Sequence, residues 1–241
     1  MLAEKMMNDI KWIFFDLGWT LIDETLSHRS RFKATRLHLS KFGLEHTVEE
    51  LIMLCQRAAT DFAPSSFRGM LEYLNLTKDQ CLHILKNVPY DHSFEILYPG
   101  VQGLLKKLSK YFSLCIIANQ AEGTEDRLRN KGIRQYFSFV LSSAELGLSK
   151  PDPNIFQAAL SKAECNPWEV VMVGDRIDND IGPAKSQGLK TIRVLQGFSQ
   201  FQKPRNPNEE PDRTISSILE LPGILINEDQ PTSRSGWSGT R

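Results

Sequence analysis

Lys11-Trp12-Ile13-Phe14-Phe15-Asp16-Leu17-Gly18-Trp19-Thr20 is an apolar run that ends in an acid, a glycine and a hydroxyl. It is apolar on successive residues rather than alternate ones. That pattern predicts a strand over Lys11–Leu17 that is covered on both faces, as in a parallel sheet between helices. Comparable short runs recur at Ser113–Ala118, Phe139–Ser142, Val170–Val173 and Thr191–Leu195. Helical patterns at Val101–Lys110 and Pro153–Lys162 separate them. Strand–helix alternation of this kind predicts an α/β fold built on a doubly wound parallel sheet.

Between Glu24 and Leu97 the rhythm changes, and no strand is predicted. Arg31–Phe42 and Thr47–Thr60 carry apolar residues three and four apart, and Thr47 with Glu50 has the spacing of a capping box. Thr77 is placed to cap a further helix over Thr77–Lys86. A helical segment this long is not a loop. Residues 24–97 are therefore expected to form a small helical cap domain inserted into a core made of residues 1–23 and 98–226, with Pro99-Gly100 marking the return. Gln202–Arg213, rich in proline and charge, reads as a surface excursion, and Thr214–Leu225 as a last short strand and helix. The Gly, Ser, Thr and Pro composition of residues 227–241 predicts a disordered tail.

Composition narrows the function classes. Acids and bases number 29 each, so no net charge draws the chain toward nucleic acid or an anionic membrane. No apolar run approaches the roughly 18 residues that cross a bilayer, and the N-terminal stretch is too mixed in charge for a signal peptide. Cys55, Cys81, Cys115 and Cys165 form no CxxC pair, which argues against a zinc site or a disulfide framework. Cys115, inside an apolar run, reads as a buried small hydrophobe. A cytoplasmic protein is expected, acting on a small molecule as a monomer or homodimer.

The chemistry collects at the ends of the strands, where parallel α/β sheets bind their ligands. The first run delivers Asp16, then Gly18 and Thr20; the second delivers Asn119 and Gln120; Lys150 precedes Pro151; the fourth delivers Asp175, with Asp178 and Asp180 beyond it. If the strands are neighbours, Asp16, Asn119, Lys150 and Asp175 share a pocket. Grouped carboxylates hold a hard divalent ion, most often Mg2+. A lysine then stabilises phosphoryl oxygens, and a carboxylate in line with phosphorus attacks it.

The stretch FDLGWTLID, residues 15–23, resembles the first motif of the haloacid-dehalogenase-like hydrolases. GLSKPDPNIF, residues 147–156, is similar to the lysine motif of the subfamily that includes phosphoglycolate phosphatase and haloacid dehalogenase. VMVGDRIDNDI, residues 171–181, looks like the family's acidic motif. The three occur in the family's order, with a helical insertion where that subfamily carries its cap. The resemblance implies that Asp16 is nucleophile and metal ligand, and that Lys150 and Asn119 bind the phosphoryl group. Asp175, the Gly18 carbonyl and Asp180 would complete the Mg2+ site, Asp180 through water. Asp178 is expected to be a turn or cap residue.

Two positions depart from the pattern. Family phosphatases place a second aspartate, the general acid and base, two residues after the nucleophile; this chain has Gly18. The second motif ordinarily has a hydroxyl before its asparagine; here it is Ala118. Loss of a general acid–base group costs roughly 10²–10⁴ in rate. The implied activity is a Mg2+-dependent phosphatase of a small phosphorylated metabolite, working through an aspartyl-phosphate. The rival is a catalytically impaired relative that binds a phosphorylated ligand or a partner, and carbon–halogen hydrolysis stands behind both. Arg29, Arg31, Arg36, Arg57 and Arg68 of the helical segment read as helix-surface charges, of which one could reach the substrate. Trp19, Phe32, Phe42 and Phe62 read as packing within the cap.

Overall fold

Ile13, Phe14 and Phe15 have no accessible surface, and the strand they form is the centre of the molecule. The computed structural model describes Met7 and residues 9–226; the tail expected over 227–241 lies outside the described residues. Eight strands occur there: β1 (Trp12–Phe15), β2 (Ile22–Asp23), β3 (Ile96–Leu97), β4 (Ser113–Ala118), β5 (Phe139–Ser142), β6 (Val170–Gly174), β7 (Lys190–Val194) and β8 (Arg213–Ile215). Six of them form one sheet in the order β5-β4-β1-β6-β7-β8, with every neighbouring pair parallel.

Alternation along these strands fills two apolar layers. Ile13, Phe15, Ile116, Val171 and Val173 face one layer. Phe14, Cys115, Ile117, Val170 and Met172 face the other. Both faces are buried, which is why the runs are continuously apolar. Burial also pushes the Cys115 thiol well above its ordinary range, as suits a packed rather than a reactive cysteine.

Between β2 and β3 lie four helices: α1 (Thr25–Lys41), α2 (Val48–Thr60), α3 (Ser66–Tyr73) and α4 (Lys78–Asn87). They enclose an apolar cluster of their own around Phe32, Leu39, Leu51, Met70 and Ile84. The capping boxes are formed at both Thr47 with Glu50 and Thr77 with Gln80. One expectation fails here. Ile96–Leu97, inside the stretch read as strand-free, pairs antiparallel with Ile22–Asp23. Two residues carry no readable period, and the partner strand lies on the far side of the whole helical segment, so no local signal announces the pair. Among the described residues, no helix is long and apolar enough to cross a membrane.

In the rest of the chain, α5 (Val101–Leu108) follows Gly100, whose φ of 84° is one a side chain would resist. Next come α6 (Thr124–Asn130), α7 (Ser143–Leu146), α8 (Pro153–Ala163), α9 (Gly182–Ser186) and α10 (Leu221–Leu225). Asp152 caps α8 through the amide of Asn154, with Pro153 in the first turn. The SKPDPN stretch is thus a helix entry, and it fixes the chain direction just after Lys150.

Candidate active site

Because β1 lies between β4 and β6, the residues that follow these three strands meet at one edge. Asp16 follows β1, Asn119 follows β4 and Asp175 follows β6. Lys150 enters from the turn before α8. The Lys150 side chain is buried and its ammonium donates to Asp16 Oδ1 at 2.6 Å and to Asp180 Oδ1 at 2.5 Å. Burial opposes that charge, but the two carboxylates prevail and hold the lysine protonated, above its ordinary range. Asn119 and the lysine turn lock together: the Asn119 amide donates to the Lys150 carbonyl at 2.7 Å, and the Lys150 amide donates to Asn119 Oδ1 at 2.8 Å. The expected pocket group is therefore brought together.

Asp16, Asp175 and Asp180 can each offer a carboxylate oxygen within 4.8 Å of the others. One ammonium bonds two of these three acids, and Arg176, itself paired with Asp178, is the other cation that acts on Asp175. Asp175 is raised well above the carboxylate range by burial first, then by Asp180 and Asp16. Asp180 is pushed up to about 6 by burial, against the pull of Lys150. Its two oxygens are engaged, one by Lys150 and one by the Arg176 amide at 3.0 Å. Oδ2 of Asp175 is buried with no hydrogen-bond partner. An unpartnered carboxylate oxygen in an acid-rich, cation-poor cluster fits a divalent cation. Asp178 lies apart from the triad, in an ion pair with Arg176 at 2.6 Å.

Local structure explains how so many acids fit. Residues Ile177–Ile181 form a π-helical turn, and Asp180 folds back across Gly174. A Cβ at Gly174 would lie 2.6 Å from the Asp180 Cβ, so only glycine leaves room. Gly18 differs, because its neighbour is the free end of a flexible side chain. A Cβ there would come within 2.9 Å of the Glu24 carboxylate carbon, so the room a side chain would take at position 18 is filled by Glu24. Glu24 Oε2 lies 3.6 Å from His28 Nε2, and both residues line the same cavity as Asp16.

That cavity, about 370 Å³, runs from the triad into walls supplied by α1, α3 and the turn Phe198–Phe201. Trp19 stacks on His28 with centroids 5.6 Å apart and meets Phe198 at 5.1 Å. Its ring lines the cavity as well as packing against the helical cluster, so packing alone does not describe it. Gln120 borders the cavity too, with its carbonyl oxygen accepting from Arg127 at 2.7 Å. Sequence reading missed Glu24, His28, Tyr90 and Phe198. Each looks like an ordinary helix or loop residue, and no spacing rule connects them to Asp16.

The sequence model of the haloacid dehalogenase-like hydrolases matches residues 13–194, and the chain belongs to that family. It is 32% identical over 227 residues to a glyceraldehyde 3-phosphate phosphatase of Methanopyrus kandleri, covering 90% of this chain and 97% of that one. It is 25% identical over 252 residues to an N-acylneuraminate-9-phosphatase of Mus musculus, covering 95% and 99%. In fold it is similar to a predicted phosphoglycolate phosphatase from Haemophilus somnus, with a TM-score of 0.67, 22% identity and coverage of 90% and 99%. These relatives carry phosphatase names, and the chain is a hydrolase of the same family.

Proposed function

We propose that the protein hydrolyses a small phosphorylated metabolite through an aspartyl-phosphate on Asp16. The observation that carries this reading is the Asp16–Lys150–Asp180 ion-pair chain beside Asp175, set at the floor of a cavity of small-molecule size. Asp16 is the nucleophile: one oxygen is held by Lys150 and the other accepts from Thr20 Oγ1 at 3.3 Å, which fixes the carboxylate plane. Lys150 also faces the cavity and balances charge on the phosphoryl oxygens. Asn119 sets the lysine turn and borders the same space.

Asp16, Asp175 and the Gly18 carbonyl would hold Mg2+, with Asp180 supporting the site through Lys150 and water. When bound, the ion supplies positive charge to the phosphoryl group. Glu24, filling the space that Gly18 leaves two residues after the nucleophile and lining the same cavity as Asp16, is assigned the proton transfer to the leaving oxygen. Residues 24–97 act as a cap that walls the cavity and selects the substrate.

The test is phosphate release from a panel of phosphorylated metabolites with Mg2+. Wild type turns over at least one, and Asp16→Asn turns over none while melting as a folded protein. Unchanged turnover in Asp16→Asn refutes the reading. Gly18 favours the rival of a phospho-ligand binder without turnover; tight binding with no release of phosphate would select it.

A further inference from the structure

One arginine of the helical segment stands apart from the other four. Arg36 and Arg68 are exposed. Arg29 pairs with Glu49 at 3.1 Å, and Arg57 pairs with Asp61 at 3.8 Å on the surface. Arg31 is the member of the group that lines the cavity containing Asp16 and Lys150. Its guanidinium carbon sits 3.4 Å from the Phe67 ring centroid, and its Nε donates to the Val88 carbonyl at 3.1 Å. These two contacts set the plane of the fork. Among the described residues no carboxylate pairs with it.

The charge balance of the cavity sharpens the point. Lys150, paired with Asp16 and Asp180, serves the phosphoryl end of the cavity, and Arg176 is paired with Asp178. Arg31 keeps its two terminal nitrogens without a protein acceptor, in a site buried enough that desolvation pulls its pKa down to about 10. A guanidinium offers five donors in a rigid fork that matches a carboxylate or a phosphate in bidentate fashion. A fork clamped by one carbonyl and one ring, with its open edge in a ligand cavity, is arranged for an anion that arrives with the ligand.

We propose that the substrate carries a second anionic group, a carboxylate or a further phosphate, and that Arg31 binds it while the phosphoryl ester lies at Asp16. This rests on the hydrolase reading above. It defines the substrate class as small phosphorylated acids or bisphosphates rather than neutral or aminated phosphate esters. Trp19 and Phe67 then flank the carbon chain between the two charged ends.

The test uses matched pairs of phosphate esters that differ in one anion: O-phosphoserine against O-phosphoethanolamine, 3-phosphoglycerate against glycerol 3-phosphate, and fructose 1,6-bisphosphate against fructose 6-phosphate. The first two pairs read a carboxylate and the third a phosphate. Wild type prefers the more anionic member of at least one pair. Arg31→Met lowers kcat/KM for that member by roughly 10- to 100-fold, mainly through KM, and leaves its partner within about twofold. Arg31→Lys keeps part of the preference. Binding of the same pairs to the Asp16→Asn protein, followed by calorimetry, reads the anion site without turnover. If that binding shows the Arg31-dependent preference while wild type releases no phosphate, the hydrolase reading fails and the anion site stands. Equal loss on both members of a pair marks a structural role. That result overturns the proposal, as does the absence of any preference in both turnover and binding.

Discussion

Replacing Lys150 with methionine removes one charge and keeps the length of the side chain. The structure then predicts a large loss of stability in metal-free protein. The Lys150 side chain is 2% exposed and touches Asp16 and Asp180, so the substitution leaves three carboxylates within 4.8 Å whose nearest remaining cation, Arg176, is paired with Asp178. Breaking a buried ion pair by removing one partner costs about 3–5 kcal/mol. For a chain of this size each kcal/mol shifts the melting temperature by about 2–4 °C, so the variant melts roughly 6–20 °C lower in EDTA. The deficit depends on pH in a defined direction. Asp180 has a folded pKa of about 6 against an ordinary 3.8, so the folded state keeps a proton that the unfolded state has released between those values. Its contribution to stability therefore falls as pH rises through that window. Loss of Lys150 raises the carboxyls further, so the gap between variant and wild type widens from pH 5 to pH 8. Asp180→Asn in the Lys150→Met background recovers part of the loss, and Mg2+ raises the melting temperature of the variant more than that of wild type. Thermal melts across pH, with and without EDTA, measure all of this. A variant that melts within about 2 °C of wild type in EDTA at pH 8 would refute this charge balance.

Gly174→Ala forces its new methyl against Asp180 and so pulls a partner away from Lys150; activity falls about 10- to 100-fold while the sheet remains folded, as circular dichroism will show. Activity within twofold of wild type would mean that Asp180 is free to move. Gly18→Ala displaces the Glu24 carboxylate, so it and Glu24→Ala each lower kcat by about 10², and the double variant is no worse than either. Additive losses in steady-state kinetics would separate Glu24 from the site.

The strands were legible because their signal is local. Phe139–Ser142 and Ser113–Ala118 form over the residues expected, since a strand buried on both faces is apolar at every position. The first strand is shorter than its apolar run, which continues as the buried Asp16 and Leu17 at the site. Capping at Thr47 and Thr77 was legible for the same reason, because donor and acceptor lie three residues apart. The helix Ser66–Tyr73 was not, because its cap at Ser65 and its eight residues leave little periodicity to read.

The sequence by itself therefore determined the alternating α/β core, the helical segment inserted after its first strand, and the order in which Asp16, Asn119, Lys150 and Asp175 reach the sheet edge. Tertiary structure alone decided what those residues touch. Lys150 and Asp16 meet across 134 positions of chain, and no periodicity encodes a contact at that distance. Only the packed chain shows that the vacancy at Gly18 is filled by Glu24, and that Arg31, among five similar arginines, is turned into the cavity. Glu24 at the start of α1 and Arg31 on it both line that cavity, a matter of packing between segments rather than of residue type.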